Sequence, residues 1–538
     1  MALIVDKTRY HVISTAEREN ECAEAAVDFE TAVSATGYGL FNVLLLMAAI
    51  PAGWTTVFDT STTAFIMPSA ECELDLSLFR KGLLAASTYA GMICIAVVWG
   101  FIADHIGRKY LLLFGLISDT LCNVFGSAAQ SYYVYLSFKF TSGIIVGGPF
   151  AILMTYIAEF HGERHRSRVL MWTGSLFALG NVAVPALSRA VLPRTWSFSL
   201  FNNSLIFDAW RIFLLICALP PFLGFVAMWS FPESPKFLMT KGRSEEALKV
   251  FRRMYSMNTG KPEDDYPVKI LRIENVAKVQ TPLEPANRSS RDGLRRSFYR
   301  MKFLFPTPYI FPLFTINVII FASMTGMHVM KSWLPQLIVI LNNFDPKESD
   351  DSPIVPTICE KLNVQAIEAF GAQAALALGN TTETCIPMIV STTVYTNATI
   401  IAASAVTGSF LVGAIVNKVG KKSILLVSLV SGGSCYLGLS FSPSTTIFLV
   451  LCSAIIALTG ISTNAITSMI IEVVPTSLRA TAVSVTLMTG RFGALTGNLL
   501  FPLLLNVSCD APFYYIGGFL TLCFVLAIFL SKYSGKLP

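Results

Sequence analysis

Basic and glycine residues stand at the same spacing in two short segments that lie far apart in the chain. The first, GFIADHIGRK, covers residues 100–109 and includes Asp104 and Arg108. The second, GAIVNKVGKK, covers residues 413–422 and has Asn417 at the position of Asp104. An acid beside bases on a short connection can form ion pairs that hold two elements together and later release them. The alternative is a solvated turn whose bases only set the orientation of a membrane protein.

The two segments belong to an internal duplication. One shared offset could arise by chance, whereas two separate segments in the same register indicate that the chain consists of two related halves. A constant offset of 313 residues joins Gly107 to Gly420, Lys109 to Lys422, Glu159 to Glu472 and Arg166 to Arg479.

The composition predicts an integral membrane protein. Of the 538 residues, 53% are hydrophobic and 14% are charged, whereas soluble domains carry about 25% charged residues. The net charge of +6 lies in stretches between apolar runs, which is typical of membrane loops and argues against a nucleic-acid-binding protein. A spanning helix needs about 20 apolar residues, and long runs that do not alternate favour helices over a β-barrel. Twelve such helices are predicted to start near Leu40, Gly82, Tyr110, Ser131, Ser167, Trp210, Tyr309, Ser391, Ser423, Thr445, Ala480 and Pro512.

Basic residues predict the orientation of the chain, because cytoplasmic loops are enriched in lysine and arginine. The segment 232–306 contains 16 Lys or Arg residues, and the segment 342–390 contains two, against seven acids. Six predicted helices precede the basic segment, so both termini are expected to be cytoplasmic. We predict a multi-pass protein of the plasma membrane or of an intracellular vesicle membrane. Its parts are a cytoplasmic N-terminal segment (1–37), a first six-helix bundle (38–231), a basic cytoplasmic linker (232–306), a second six-helix bundle (307–531, with the outer loop 342–390) and a cytoplasmic tail (532–538).

Disulfides and glycosylation are expected on the predicted outer side, which faces an oxidising space. The cysteines that fall there are Cys72, Cys359, Cys385 and Cys509. Four cysteines allow three pairings, and we expect Cys359 to pair with Cys385 because both lie in one loop. The alternative is that the thiols are free. The sequons at Asn202 and Asn380 also fall outside and could be glycosylated.

Several segments resemble a known family. The spacing G-x-x-x-D-x-x-G-R-K between the second and third helices is similar to the signature loop of the major facilitator superfamily, here Gly100, Asp104, Gly107, Arg108 and Lys109. PESPKFL (232–238) and VVPTSLRA (473–480) resemble elements of the sugar-porter, organic-ion and synaptic-vesicle-glycoprotein branches. DFETAVSATGYGLFN before the first helix and PSAECEL after it are most similar to the synaptic vesicle glycoprotein 2 family, especially its invertebrate members.

The resemblance implies a fold and a function. The major facilitator fold is an all-α membrane architecture of twelve transmembrane helices in two six-helix pseudo-repeats. We therefore expect a transporter that moves a small organic solute by alternating access, either with or without coupling to protons or cations. Sugar transport is not implied, because the seventh helix, NVIIFASMTGMHVMKSWLPQL, lacks the glutamine-rich motif of sugar porters. The alternative is a non-transporting binding or trafficking protein of the synaptic-vesicle-glycoprotein type.

The repeated loops are predicted to form the inner gate of this transporter. Asp104 should lie near helix N-termini, where partial positive charge favours an acid, and Arg108 and Lys109 can donate to Glu159 on the facing element. Asn417 carries no charge, so the second half of the gate should be weaker. The predicted gate comprises Gly100, Asp104, Gly107, Arg108, Lys109, Glu159, Arg166, Asn417, Lys421, Lys422, Glu472 and Arg479.

Asp59 in the first helix and Lys139 in the fourth are predicted to pair within the membrane, where ionisable groups are usually functional. At about 1.5 Å per residue, both lie roughly 12–14 Å below the outer surface. In proton-coupled sugar porters an acid on the first helix works with a base on the fourth. The resemblance therefore implies proton or cation coupling, with Asp59 taking up and releasing the proton. A purely structural ion pair is the alternative.

Further ionisable residues lie in the seventh and eleventh helices. His328 can respond to pH, or it is a packed, hydrogen-bonded side chain. Arg491 can bind an anionic group of the substrate or pair with a neighbouring acid. Lys331 is expected near the outer end of its helix, where it can extend to the surface. Asp119 lies on the third helix, which is peripheral in this fold, and no function is assigned to it.

The sequence lacks the motifs that would indicate other classes of function. The chain contains no G-x-x-x-x-G-K-[ST] phosphate loop, which argues against an ATP-driven pump. No metal cluster or nucleophile triad stands out in the sequence either. We expect no enzyme activity, no cofactor and no metal. The expected partners are a small-molecule substrate, the lipid bilayer and either a proton or another cation, without nucleic acid, and the expected state is a monomer.

Neutralising Asp104 is expected to impair transport more than changing Asn417. Asp104→Asn removes a charged group and should lower saturable uptake into proteoliposomes by about tenfold, as expected for the loss of one charged hydrogen bond. Asn417→Ala removes only a neutral hydrogen-bonding group and should have a smaller effect. Equal losses in the two variants would contradict a gate with unequal halves.

Overall fold

The chain folds into long helices with few other elements. Among the residues that the structure describes, ten helices are long and apolar enough to cross a membrane. The computed structural model describes residues 27–200, 205–272, 310–342, 359, 390–474 and 479–529.

Twelve long helices, α1 to α12, build the transmembrane domain. The first six are α1 Leu40–Ile66, α2 Leu78–Ile106, α3 Arg108–Ser127, α4 Tyr132–Glu159, α5 Glu163–Val191 and α6 Ala209–Trp229. The last six are α7 Ile310–Asn342, α8 Thr392–Val419, α9 Lys421–Leu439, α10 Thr445–Val473, α11 Arg479–Val507 and α12 Asp510–Phe529. The ten spans include all of these except α2 and α11, which are helices of 29 residues each. The predicted all-α fold of twelve helices is confirmed.

Local sequence sets several helix ends and breaks. Ser77 caps α2 by accepting the N–H of Arg80 at 3.3 Å, in the manner of serines at helix N-termini. Helix α4 is interrupted at Gly147, and its second part begins with Pro149. Proline fits the first turn of a helix because its missing N–H would have no partner there. The break therefore divides α4 into two parts, Tyr132–Val146 and Pro149–Glu159.

Smaller elements mark the two faces of the domain. We call "outer" the face that carries residues 67–77, as predicted from the charge distribution, and "inner" the opposite face. On the outer side, β1 (Ser197–Leu200) pairs with β2 (Leu205–Asp208) in an antiparallel hairpin. On the inner side lie three short helices and one 3₁₀ turn, which are Phe29–Ala35, Pro235–Thr240, Ser244–Thr259 and Glu263–Asp265.

The N-terminal segment and the start of the linker form one inner layer. Val27 and Leu271 form a parallel β-bridge, and the Tyr266 hydroxyl donates to the carbonyl of Ala32 at 2.6 Å. Arg166 at the start of α5 pairs with Glu30 at 2.6 Å. Because Glu30 pairs with Arg166 of α5 and Asn258 donates to Asn42 of α1, the inner layer is attached to the first half.

The duplication is visible in the backbone at the inner ends of the helices. Helix α2 ends at Ile106 and α8 at Val419, and these residues are again 313 apart. The glycines that follow, Gly107 and Gly420, have φ angles of +117° and +86°. Only glycine adopts such angles readily, because it has no Cβ. Both halves therefore turn from their second to their third helix in the same way.

Helices within each half approach closely at glycines. A Cβ on Gly143 of α4 would lie 2.1 Å from the carbonyl oxygen of Thr88 in α2. In the second half, a Cβ on Gly493 of α11 would lie 2.4 Å from the carbonyl oxygen of Phe321 in α7. Small residues permit such contacts between membrane helices, where packing rather than the hydrophobic effect holds helices together.

The described polar contacts between the halves lie toward the outer face and the middle of the membrane. The hydroxyls of Ser69 and Tyr395 are 3.3 Å apart. At the outer ends of α2 and α11, a Cβ on Gly82 would lie 2.6 Å from the ring of Pro502. Helix α5 contacts α8 through its outer part, Gly180–Val191. The halves are therefore closed against each other at the outer face.

The predicted pairing of Cys359 with Cys385 is wrong. Cys359 forms a disulfide with Cys509, at a Cα–Cα distance of 5.4 Å. Cys72 is also disulfide-bonded. Loop closure favours cysteines close in sequence, but the fold brings Cys359 beside Cys509 at the start of α12. Cys385, Asn202 and Asn380 lie outside the described residues, and their modification stays a prediction, as do the domain boundaries.

Replacing Gly143 by alanine is expected to destabilise the first half. The added Cβ would overlap the backbone of Thr88, and overpacking of this kind typically costs about 1–3 kcal/mol. A matched control is Gly174→Ala in α5, because nothing lies within 4 Å of a Cβ at that position. Thermal melting of the purified protein in detergent should show a lower midpoint for Gly143→Ala only. Equal midpoints for both variants would contradict tight packing at Gly143.

Candidate substrate and coupling site

A buried polar network joins α1, α3 and α4. Lys139 Nζ lies 3.9 Å from Asp59 Oδ1 and 3.4 Å from the Asp59 carbonyl oxygen. Asn123 Nδ2 donates to Asp59 Oδ1 and to Asp119 Oδ2, each at 3.1 Å. Ser142 donates to the other Asp119 oxygen at 3.0 Å. All five side chains are buried. The equal depth inferred for Asp59 and Lys139 is observed as direct proximity.

The network holds more acid than base. Two carboxyl groups share one lysine, so the network would carry one excess negative charge if both acids were ionised. Within the described residues, the buried oxygen Asp59 Oδ2 has no hydrogen-bond partner. An uncompensated buried charge costs several kcal/mol. A proton or another monovalent cation is therefore the group that this arrangement can accept.

Asp119 belongs to this network, although its helix position gave no reason to assign it a function. The expectation that α3 is peripheral overlooks that each helix still presents one face to the bundle. Asp119 and Asn123 are four residues apart, which places them on the same face of α3. That spacing of an acid and an amide inside an apolar helix was the signal in the sequence.

Two side chains of α7, His328 and Lys331, lie at the interface between the halves. The ring nitrogen Nδ1 of His328 is 2.7 Å from the hydroxyl of Tyr89 in α2. Lys331 donates to Asn181 Oδ1 of α5 at 2.9 Å. Each contact crosses from α7 to the first half. The position of Lys331 in the sequence predicts that its side chain extends to the outer surface. In the structure the side chain binds Asn181 instead.

Arg491 of α11 contacts the break in α4. Both terminal nitrogens of its guanidinium group lie 3.4 Å from the carbonyl oxygen of Gly147. The break in the helix leaves this carbonyl available, because the helical hydrogen-bond pattern is interrupted there. Arg491 therefore reaches the first half without pairing with an acid among the described residues.

Two of the predicted gate residues of the first half, Arg108 and Glu159, form an ion pair at the inner face. Arg108 Nε lies 3.6 Å from Glu159 Oε2, and Ser234 donates to the same carboxylate. Glu233 accepts the backbone N–H groups of Arg108 and Lys109 at 3.1 and 3.0 Å. Such capping satisfies N–H groups that the first turn of α3 leaves without partners. Glu233 had no assigned role, although it stands in the recognised PESPKFL element.

Arg166 does not join this ion pair. Its guanidinium donates to the carbonyl oxygens of Ala158 and His161 at 3.2 and 3.1 Å, and it pairs with Glu30. Arg166 therefore attaches the N-terminal helix to the end of α4.

Burial lowers the pKa of His161, which lies between α4 and α5, so the ring is neutral near pH 7.

The second half of the predicted gate is described only in part. Lys421 and Lys422 begin α9, at the positions equivalent to Arg108 and Lys109. The remaining predicted gate side chains lie outside the described part of the structure, namely Gly100, Asp104, Asn417, Glu472 and Arg479.

Two buried bases form ion pairs with acids of the outer loop 67–77. Lys81 pairs with Glu71 at 2.6 Å, and Arg211 pairs with Glu73. Arg211 also donates to the carbonyl oxygens of Ser127 and Ala129 at 3.0 and 2.6 Å. The two buried bases Lys81 and Arg211 thus each have a carboxylate partner.

Two family models match the chain. One, described as "Sugar (and other) transporter", matches residues 31–326, and the other, described as "Major Facilitator Superfamily", matches residues 352–536. The two matches lie in the first and second halves of the duplicated fold, with the first extending into α7.

Synaptic vesicle glycoproteins are similar to this chain. The glycoprotein 2A of Rattus norvegicus is 33% identical over 260 residues, which are 47% of this chain and 34% of the relative. The glycoprotein 2B of Homo sapiens is 29% identical over 357 residues, which are 62% of this chain and 50% of the relative. The chain thus spans about a third to a half of the length of these curated relatives. The predicted resemblance to this branch is confirmed.

Solved structures with low sequence identity share the fold. The partially occluded, inward-open xylose transporter XylE of E. coli matches with a TM-score of 0.62 at 15% identity, covering 93% of this chain and 100% of that one. The nucleoside transporter NupG matches with a TM-score of 0.56 at 10% identity, covering 91% and 99%. Because the first family model covers residues 31–326 of 538, more than half of the chain, this protein belongs to the Sugar (and other) transporter family within the major facilitator superfamily.

Proposed function

We propose that this protein is a secondary transporter that moves a small organic solute across a membrane by alternating access. The observation that carries the proposal is the interface between two related halves, which are joined at the outer face and hold ionisable side chains in the middle of the membrane. Family membership supports it. The protein is not an enzyme in this proposal, and it acts as a monomer with both termini in the cytoplasm.

The transport cycle exchanges contacts at one face for contacts at the other. Opening of the outer face breaks the Ser69–Tyr395 contact. Closure of the inner face brings the loop with Arg108 toward Lys421 and Lys422 of the second half. Glu159 then offers a carboxylate to bases of both halves. Rocking of one half against the other around a central site is the usual form of this cycle in duplicated transporters.

Alternating access can be tested before the solute is known. Spin labels at Phe79 and Val507 report the outer ends of α2 and α11, and labels at Ile106 and Val419 report the inner ends of α2 and α8. All four side chains are exposed. Pulsed electron-paramagnetic-resonance distances should show a second population in which the outer pair is farther apart and the inner pair closer. The exposed Cys94 is replaced by serine in all variants.

A pair within one half serves as the control for this measurement. Ile106 and Met171 are both exposed and both belong to the first half, so their distance should stay constant. A single population for the outer and inner pairs across pH and solute conditions would contradict alternating access. It would favour the alternative, a binding or trafficking protein that does not move a solute, which the family matches do not favour.

Proton coupling through Asp59, Asp119 and Lys139 is the second part of the proposal. Asn123 holds the two acids together, and Asp59 Oδ2 is buried without a hydrogen-bond partner among the described residues. Adjacent carboxyl groups commonly share one proton, because both cannot ionise at low cost. Loss of this proton leaves a net negative charge that is costly while the site is closed. The protonation state therefore biases the equilibrium between the two conformations.

Asp119→Asn is expected to remove the pH dependence of the conformational equilibrium. The variant leaves one acid and one lysine, whose charges balance without a proton. The populations of the outer spin-label pair should shift with pH in the otherwise unchanged protein and stay constant in Asp119→Asn. Asp75→Asn is the matched control, because the Asp75 side chain is 91% exposed. A pH response that persists in Asp119→Asn would contradict the shared proton, and a response to Na⁺ at fixed pH would replace the proton by sodium.

A further inference from the structure

Lys331 and Arg491 are half-buried basic side chains that differ from the fully buried bases of this protein in their partners. Within the described membrane helices, the fully buried bases are Lys81, Lys139 and Arg211, and each has a carboxylate partner. Lys331 is hydrogen-bonded to an amide oxygen, and Arg491 touches one carbonyl oxygen at 3.4 Å. Neither forms an ion pair with a described acid.

The acids of the first half do not compensate these two charges. Asp59 and Asp119 are held together by Asn123, and Asp59 already pairs with Lys139. Neither acid forms a hydrogen bond or an ion pair with Lys331 or Arg491. A cation inside the membrane without a counter-charge is expensive. The two bases thus form a local excess of positive charge, and an anion that enters the interface would offset that cost.

The bases stand at different depths along one side of the interface. Helices α7 and α11 run side by side, and a Cβ on Gly490 would contact Met324 and Ile320 of α7. Arg491 is therefore level with about residue 323 of α7, and Lys331 lies about eight residues, or roughly 12 Å, farther toward the outer face. His328 lies between these two levels. The separation of roughly 12 Å between the levels of Arg491 and Lys331 suits an organic molecule better than a single small ion.

Arg491 and Lys331 differ in the hydrogen bonds that they can offer to an anion. The guanidinium group of Arg491 has several donors in one plane and can bind a carboxylate through two parallel hydrogen bonds. Its present contacts are long and involve one carbonyl oxygen, so exchange for a carboxylate loses little. Lys331 offers a point charge, and its amide partner Asn181 can remain as a neighbour. Tyr89 and His328 add neutral hydrogen-bonding groups between the two.

We propose that the solute is an organic anion whose carboxylate binds Arg491, with Lys331 supplying the second positive charge of the site. This inference rests on the proposed transport function, because it takes the interface between the halves to be the solute path. It names a substrate class that differs from the sugar in the family description. A proton taken up at Asp59 and Asp119 would offset the charge of the anion during transport.

Matched pairs of acids and neutral amides test this assignment. Benzoate is compared with benzamide, and glutarate with glutaramide, each added to the purified full-length protein at equal ionic strength set with NaCl. A ligand that binds the folded state raises the melting temperature according to its concentration relative to Kd. At least one carboxylate should raise the melting temperature, and its amide should not. In Arg491→Gln the affinity for that carboxylate should fall by about tenfold to a hundredfold, the usual loss for a charged hydrogen bond.

Control variants separate binding from folding and from net charge. Arg243→Gln makes the same chemical change at an exposed position of the inner layer, where Arg243 pairs with Glu246, and it should bind the carboxylate as the unchanged protein does. Arg491→Lys keeps the charge and should retain selectivity for the acid over the amide at lower affinity. If Arg491→Gln does not fold, Lys331→Gln provides the same test with a weaker loss expected.

Three results would overturn the assignment. Equal stabilisation by an acid and its amide would show that charge is not recognised. Carboxylate-selective stabilisation that survives in both Arg491→Gln and Lys331→Gln would place the anion elsewhere. Stabilisation by chloride alone, or by none of the carboxylates, would rule out an organic anion. Because the spin-label distances are measured without these ligands, a failure here leaves the result on alternating access intact.

Discussion

Close packing of helices inside each half is the constraint on which the rest of the structure depends. Gly143 against Thr88 and Gly493 against Phe321 leave no room for a side chain. Lipid supplies no hydrophobic force between membrane helices, so van der Waals contact and interhelical hydrogen bonds must hold each half together. Across the interface between the halves, the described polar contacts join single pairs of groups, such as Ser69 with Tyr395 and Lys331 with Asn181. In the proposed transport cycle these contacts are exchanged while the close packing within each half is kept.

Charge is distributed unequally across that interface. In the first half, the polar network joins two buried acids, Asp59 and Asp119, to one lysine. In the second half, Lys331 and Arg491 pair with no acid among the described residues. A ligand shifts a conformational equilibrium only through its different affinity for the two states. A site that can take a proton on one half and an anion on the other links both ligands to the relative position of the halves. The inner layer is attached to the first half by Arg166 and by Asn258, which donates to Asn42 of α1, so in the proposed cycle it moves with that half.

Where the structure differs from the sequence-based predictions, the cause is the neighbour that each side chain meets. The peripheral place of α3 in the bundle gives no reason to assign Asp119 a function, whereas the contacts of its side chain depend on which face of that helix it occupies. The pairing of Cys359 with Cys385 followed from proximity along one loop, whereas Cys509 is 150 residues away in sequence and adjacent in space. Glu233 follows the last helix of the first half, and its contact with the start of α3 depends on the packing of α6 against α3.

The sequence by itself determined the twelve helices, their duplication and the proximity of Asp59 to Lys139. Hydrophobic run length sets a span, a fixed offset survives in glycines that need positive φ, and depth follows from counting residues along a helix of constant rise. Only the tertiary structure decided that Asp119 shares the site, that Cys359 pairs with Cys509, and that Lys331 and Arg491 face the other half without an acid among the described residues. These facts depend on the rotation of each helix about its axis and on the neighbours it meets, which packing of the whole bundle fixes.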